Sequence, residues 1–107
     1  MKLKIGNKYI DVKKIEGFKD KFKCMKFVLD PITTGYCLVK KRRLSTYFFC
    51  QRIDVVMTDK DDNILYMYSN LNSEKRIHYK FRVYYTYILP LNSCSNLKIG
   101  TKLKKID

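Results

Sequence analysis

The chain has 107 residues, 46% of them apolar, and a formal net charge of +13. That length fits one domain with one ordinary core, and no apolar stretch approaches a membrane-spanning helix. A chain this basic attracts polyanions as partners: an acidic protein, a cell-envelope polymer or nucleic acid. A Lys-, Ile-, Asn- and Tyr-rich composition is also what an AT-rich genome encodes, so the charge has a compositional reading beside the functional one.

The chain opens with Leu3 and Ile5 between lysines, a Gly6-Asn7 pair and then KYIDV, the pattern of a hairpin. Phe18, Phe22 and Met25 recur at i, i+4 and i+7, with Lys19, Asp20, Lys21 and Lys23 on the other face. This spacing predicts one short amphipathic helix over residues 17–26, which Asp30-Pro31 ends. ITTGY reads as a loop with Gly35 as its hinge, and Tyr36, Leu38 and Val39 begin a short extended piece. KKRR, residues 40–43, is the densest run of charge, either a solvated loop or a phosphate clamp. TYFFC is β-branched and aromatic and predicts a strand.

IDVVM and ILYMYS flank the polar segment TDKDDN, so residues 53–68 predict a second hairpin. RIHYK is ambiguous. FRVYYTYIL is the longest β-favouring run and predicts a core strand closed by Pro90. LNSCSN is a loop, and LKIGTKLKKI ends the chain as strand, turn and strand with Gly100 at the bend. Many short strands with one helix predict a mainly β fold, a small antiparallel β-sandwich or barrel-like domain with one short α-helix.

The four cysteines, Cys24, Cys37, Cys50 and Cys94, form no C-x-x-C pair, and the one histidine is His78. Zinc sites want closely spaced ligands, so neither a metal nor any other cofactor is expected. MKLKIGNKYIDVKK has no apolar h-region, so we expect no signal peptide, reduced thiols and a cytoplasmic protein.

The order and spacing of these pieces resemble the family known as domain of unknown function 192, from about residue 9 to residue 103. The pieces that carry the resemblance are Lys23-Cys24-Met25 at the helix end and the strand Thr46-Tyr47-Phe48-Phe49. Ile53-Asp54-Val55-Val56, the acidic turn Asp59-Lys60-Asp61-Asp62, Leu89-Pro90 and Leu97-Lys98-Ile99-Gly100 follow in order. Ser45, Phe49, Arg52, Ile88 and Asn92 depart from the family's His, Met, Pro, Glu and Gly. A polar pocket built on those positions would be lost or remodelled here. The resemblance implies a mainly β domain, in relatives often exported or envelope-associated, and carries no chemistry, because the family's role is unassigned.

Asp54 lies in an otherwise apolar strand and is either a ligand-orienting acid or a structural one that accepts backbone N–H groups, helped by Arg52 or Arg43. Asp59, Asp61 and Asp62 lack the glycine and distant glutamate of a calcium loop and read as a hairpin turn. His78, Cys50 and Cys94 lack the partners that nucleophilic catalysis or metal binding needs, and the four glycines are isolated. Tyr66 and Tyr68, like Phe81 and Tyr84, are either half-buried strand residues or rings on which bases stack. The composite expectation is a non-enzymatic binding or accessory module whose basic surface, Lys40, Lys41, Arg42, Arg43, Arg52, Lys75 and Arg76, contacts an acidic partner. The alternatives are an RNA- or single-stranded-DNA-binding β module and a small-ligand pocket built on Asp54.

Overall fold

The structure, a computed structural model, describes residues 2–5, 8–15, 32–40, 44–45, 51–72, 75–78 and 80–106. The N-terminal alternation forms β1 (Lys2–Ile5) and β2 (Lys8–Ile15), an antiparallel pair with Leu3 opposite Ile10. Leu3 and Ile5 are buried and Lys2 and Lys4 face water, as the two-residue period of a strand requires. β3 (Gly35–Val39) lies beside β2. β4 (Leu44–Ser45) pairs with β7 (Arg76–Ile77) as a separate two-stranded ribbon. β5 (Ile53–Thr58) and β6 (Ile64–Leu71) form the expected second hairpin. β8 (Tyr85–Leu89) and β9 (Lys104–Ile106) complete the large sheet.

The seven strands run in the order β6-β5-β8-β3-β2-β1-β9, and the sheet curls into a half-barrel. Two bonds draw the segment before β9 back to the start of β6. The Ile64 N–H donates to the Thr101 carbonyl and the Gly100 N–H to the Ile64 carbonyl, both at 2.8 Å. The mainly β, barrel-like expectation holds, with two refinements. β2 and β3 are parallel, Val12 opposite Gly35, so the sheet is mixed. A parallel pair needs a long connection, and 19 residues, 16–34, lie between β2 and β3 in the chain. The large sheet is also one curled layer that closes over its own concave face, so it needs no second large sheet as in a sandwich.

Two apolar clusters fill the two faces. Leu3, Ile5 and Leu103 from one end of the sheet meet Val56 and Ile64 from the other, with Cys37, Tyr87 and Leu89 between, so this cluster fills the inside of the curl. Leu38, Ile53, Val55, Met57, Ile77, Val83 and Ile88 cover the outer face. β5 is buried at all six positions because both its faces are covered, so the alternation expected of a half-exposed strand is absent. A fully buried Val, Leu, Ile or Met contributes about 1.5–3 kcal/mol relative to exposure, which makes β5 the densest stabilising element.

Other expectations shift. Gly35 is a strand residue rather than a hinge. A Cβ there would lie 2.8 Å from Leu89 Cδ2 and 3.0 Å from the Ile88 carbonyl oxygen, so glycine is what lets β3 lie against β8. Phe81 and Arg82 of the long run form a turn, and Phe81 is 75% exposed, so the core strand begins only at Tyr85. Gly100 does bend the chain, with φ +89, but LKI before it forms no strand. Ser93–Asn96, expected as loop, is a single 3-10 turn. The helix expected over 17–26 and most of TYFFC lie outside the described residues.

Candidate functional site

Asp54 is carried inward by β5 and is fully buried. Its Oδ1 accepts the Asn70 N–H at 2.9 Å and its Oδ2 accepts the Cys94 N–H at 2.8 Å. Both donors are freed by local irregularity. Ile53 pairs with Leu71 but Val55 pairs with Tyr68, so β6 carries one extra residue there, and Asn70 takes φ 57. Cys94 sits in the 3-10 turn, whose N-terminal N–H groups have no ladder partner. Asp54 therefore ties β5, β6 and the turn together, the geometry of a structural acid. Burial, then the charge of Asp54 and a hydrogen bond to it, push the Cys94 thiol up to about 12.

A second polar set lies at the other end of the curl. In the β5–β6 turn, Asp59 Oδ1 accepts the N–H groups of Asp61 at 2.9 Å and Asn63 at 3.0 Å, and its Oδ2 accepts the Asn63 side-chain amide at 3.1 Å. Slight desolvation raises the Asp59 carboxyl, but these bonds and the charge of Arg82 outweigh it and hold the group below the ordinary range. Asp62, at φ 65, accepts the Tyr87 hydroxyl at 3.0 Å and pairs with the Lys105 ammonium at 3.0 Å. The same ammonium lies 4.2 Å from the centre of the Tyr85 ring. Burial, more than the neighbouring Cys37 and Asp62, pushes Tyr87 ionisation up. Burial also pushes the Cys37 thiol up to about 11, against a side-chain hydrogen bond with Tyr87 and the charge of Lys105. The acidic segment is a hairpin turn, as expected, but the inward role of Asp62 and its partner Lys105 was not legible. They are separated by 43 positions (105 minus 62) and joined only by the curl.

Outside the curl is a cleft of about 660 Å³. Residues 67–72 of β6 form one wall, and Lys75, Arg76, Ile77, His78 and Lys80 the other. Among its described lining residues there are three fixed cations and no carboxylate; Glu74 lies outside the described residues. Lys80 Nζ also stands 4.7 Å over the ring of Tyr66, which is 36% exposed. Tyr68 is half-buried and packs on the outer core. A second cleft, of about 280 Å³, mixes Asp59 and Asp61 with Lys60 and Arg82.

The expected basic surface is thus divided. Lys75 and Arg76 line the cleft. Lys40 follows β3, where its N–H donates to the Tyr84 carbonyl at 2.6 Å, and Arg52 precedes β5. These two stand at opposite ends of the strands, since Lys40 lies beside Tyr84 and Arg52 lies beyond the Asp54–Leu89 pair. Lys41, Arg42 and Arg43 lie outside the described residues. Sequence reading missed Lys80 and gave His78 no role; their signal was the basic alternation in RIHYK, whose structure was ambiguous. Cys37 and Cys94 are buried free thiols, while Cys24 and Cys50 fall outside the described residues. Among the described residues, no three His, Cys, Asp or Glu side chains gather as a metal-binding group, and no helix is long and apolar enough to cross a membrane.

These features define a class: a small mainly β domain built on a curled mixed sheet, with satisfied acids inside and a basic cleft outside. No family model matches the chain, and no curated protein matches it. Two crystal structures share the fold. A protein of unknown function from Novosphingobium aromaticivorans superposes with a TM-score of 0.81 at 9% identity, over 97% of this chain and 82% of its own. A protein from Sinorhizobium meliloti, described as a candidate transcription regulator, superposes with a TM-score of 0.78 at 12% identity, over 96% of this chain and 89% of its own. At such identities the likeness establishes the architecture and not an activity.

Proposed function

We propose that this protein is a non-enzymatic binding module of the cytoplasm, a divergent member of the domain of unknown function 192 family, whose basic cleft receives an acidic partner. One observation carries the reading: Arg76 and Lys80 stand on one wall of a cleft whose described lining residues include no carboxylate. Cations held in a concavity attract anions more strongly than the same charges spread over a convex surface. Two partnered acids support a non-enzymatic reading, because the buried Asp54 spends both oxygens on backbone donors and the half-buried Asp62 is held by Tyr87 and Lys105.

Fluorescence anisotropy with labelled polyanions, from about 50 to about 200 mM salt, tests this. Binding should weaken with salt, and Arg76→Ser with Lys80→Ser should lower both the affinity and the salt slope, by about 2 units if both cations contact the partner's charges. Unchanged affinity for every polyanion would remove the cleft as the site. Serine replacements over residues 40–43 give a parallel measurement on the other basic run.

A second reading, a single-stranded nucleic-acid partner, draws on the exposed ring of Tyr66 beside Lys80 and on the description of the Sinorhizobium neighbour. It predicts that Tyr66→Ala removes binding, since base stacking on an aromatic ring is worth about 1–3 kcal/mol. The Lys80 ammonium over that ring competes with a stacked base, and Tyr68 is committed to the core, so this reading stands second.

A further inference from the structure

The two edges of the seven-stranded sheet are guarded differently. At one edge, β9 (Lys104–Ile106) is three residues long and carries two lysines, which is how sheets discourage a further strand. At the other edge, β6 is eight residues long, ILYMYSNL, and holds no charged residue and no proline. Among the described residues its outer edge is engaged only at Ile64, by Gly100 and Thr101. Beyond Ile64, the basic cleft runs along this same strand, with Arg76 and Lys80 on the facing wall.

We infer that β6 takes up an extended acidic peptide as an additional strand, with the peptide backbone pairing to β6 and its carboxylates meeting Arg76 and Lys80. This rests on the cleft reading above and names its partner. The argument is one of complementarity. Between its bulges, an edge without charge or proline offers backbone donors and acceptors without sequence preference, and the flanking cations then select chains rich in Asp or Glu. A second copy of this protein is a poor occupant, because pairing two β6 edges would bring two basic walls together in a chain of net charge +13. β6 carries an extra residue near Asn70, whose N–H turns inward to Asp54, and another at Leu65, between the Met57–Tyr66 and Thr58–Ile64 pairs, so the regular pairing stretch runs from Tyr66 to Tyr68.

The test uses the full chain and four labelled probes: an alternating Glu-Thr peptide of the length of β6, two forms of it N-methylated at one or the other set of alternate residues, and an oligouridylate of equal charge. Only one set of peptide N–H groups can face β6 in an added antiparallel or parallel strand. The inference expects the parent peptide to bind, one methylated form to lose about tenfold or more in affinity, worth about 1.4 kcal/mol, and the other to bind as the parent does. It also expects Arg76→Ser with Lys80→Ser to weaken the parent peptide. If both methylated forms bind like the parent, charge alone holds the peptide: the cleft reading survives and strand addition is overturned. If the oligouridylate binds more tightly than the peptide and the same two substitutions weaken it, the cleft serves nucleic acid and the inference is again overturned. If no probe binds, both fall.

Discussion

Inside the curl, acids are outnumbered by donors. Asp54 has two backbone N–H groups, and Asp62 has a tyrosine hydroxyl and a lysine. In the cleft beside β6 the balance reverses, with Arg76 and Lys80 on its wall and no carboxylate among its described lining residues. The physics differs accordingly. A buried carboxylate must be satisfied within the fold or it destabilises the fold, whereas a cation at a cleft wall is satisfied by water until an anion displaces it. Polar groups that are complete at home build structure, and polar groups left facing solvent are where a partner can add something. The comparison therefore places stability inside and the proposed recognition outside.

The sharpest way to break that division is Asp54→Ala. It strands the Asn70 and Cys94 N–H groups, one in a strand bulge and one in a buried turn, and should destabilise the protein by about 2–5 kcal/mol in urea denaturation. A cost below about 1 kcal/mol would mean that water replaces the carboxylate, and that the site is open rather than sealed. Gly35→Ala comes next, at about 1–3 kcal/mol, because the added methyl meets the Ile88 backbone at 3.0 Å and Leu89 Cδ2 at 2.8 Å. Free tolerance of alanine would show that β3 and β8 can part. Tyr87→Phe should cost about 1 kcal/mol, since Asp62 keeps its ion pair with Lys105. In each case the folded fraction should bind as the parent does, which separates stability from recognition.

The smallest effect is on pH. The thiols of Cys37 and Cys94 ionise near 9.0 in the unfolded chain but are raised to about 11 and about 12 in the fold. A raised folded value means the native state holds its protons longer, so their contribution is complete below pH 9.0 and declines as pH climbs from there toward 11 and 12. Denaturation midpoints should fall over that window, and Cys94→Ala should narrow its gap to the parent as pH rises. A gap constant across the window would place Cys94 in contact with solvent.

Local patterns were legible where local physics decides them. Alternation at Leu3 and Ile5 marked the first hairpin, and the polar turn between Val56 and Leu65 marked the second. The arrangement of those hairpins was not legible. β8 inserts between β5 and β3, and β2 meets β3 in parallel, through contacts that no short window encodes. The candidate site followed the same rule. Lys75 and Arg76 stood out by charge, but Lys80 joins them only because the chain returns along β6, and Lys40 and Arg52 separate only because β5 runs between their ends. Asp54 was recognisable as an acid in an apolar strand, and its backbone donors, 16 and 40 positions away, needed the fold to be seen.

The most direct measurement compares two variants against one acidic Glu-Thr peptide at fixed salt, with unfolding followed in parallel. Arg76→Ser with Lys80→Ser should weaken the peptide by about tenfold or more while stability stays within about 0.5 kcal/mol of the parent. Tyr87→Phe should do the opposite, losing stability and keeping affinity. Equal affinity in the cleft variant, or lost affinity in the folded interior variant, would contradict the assignment of recognition to the basic cleft.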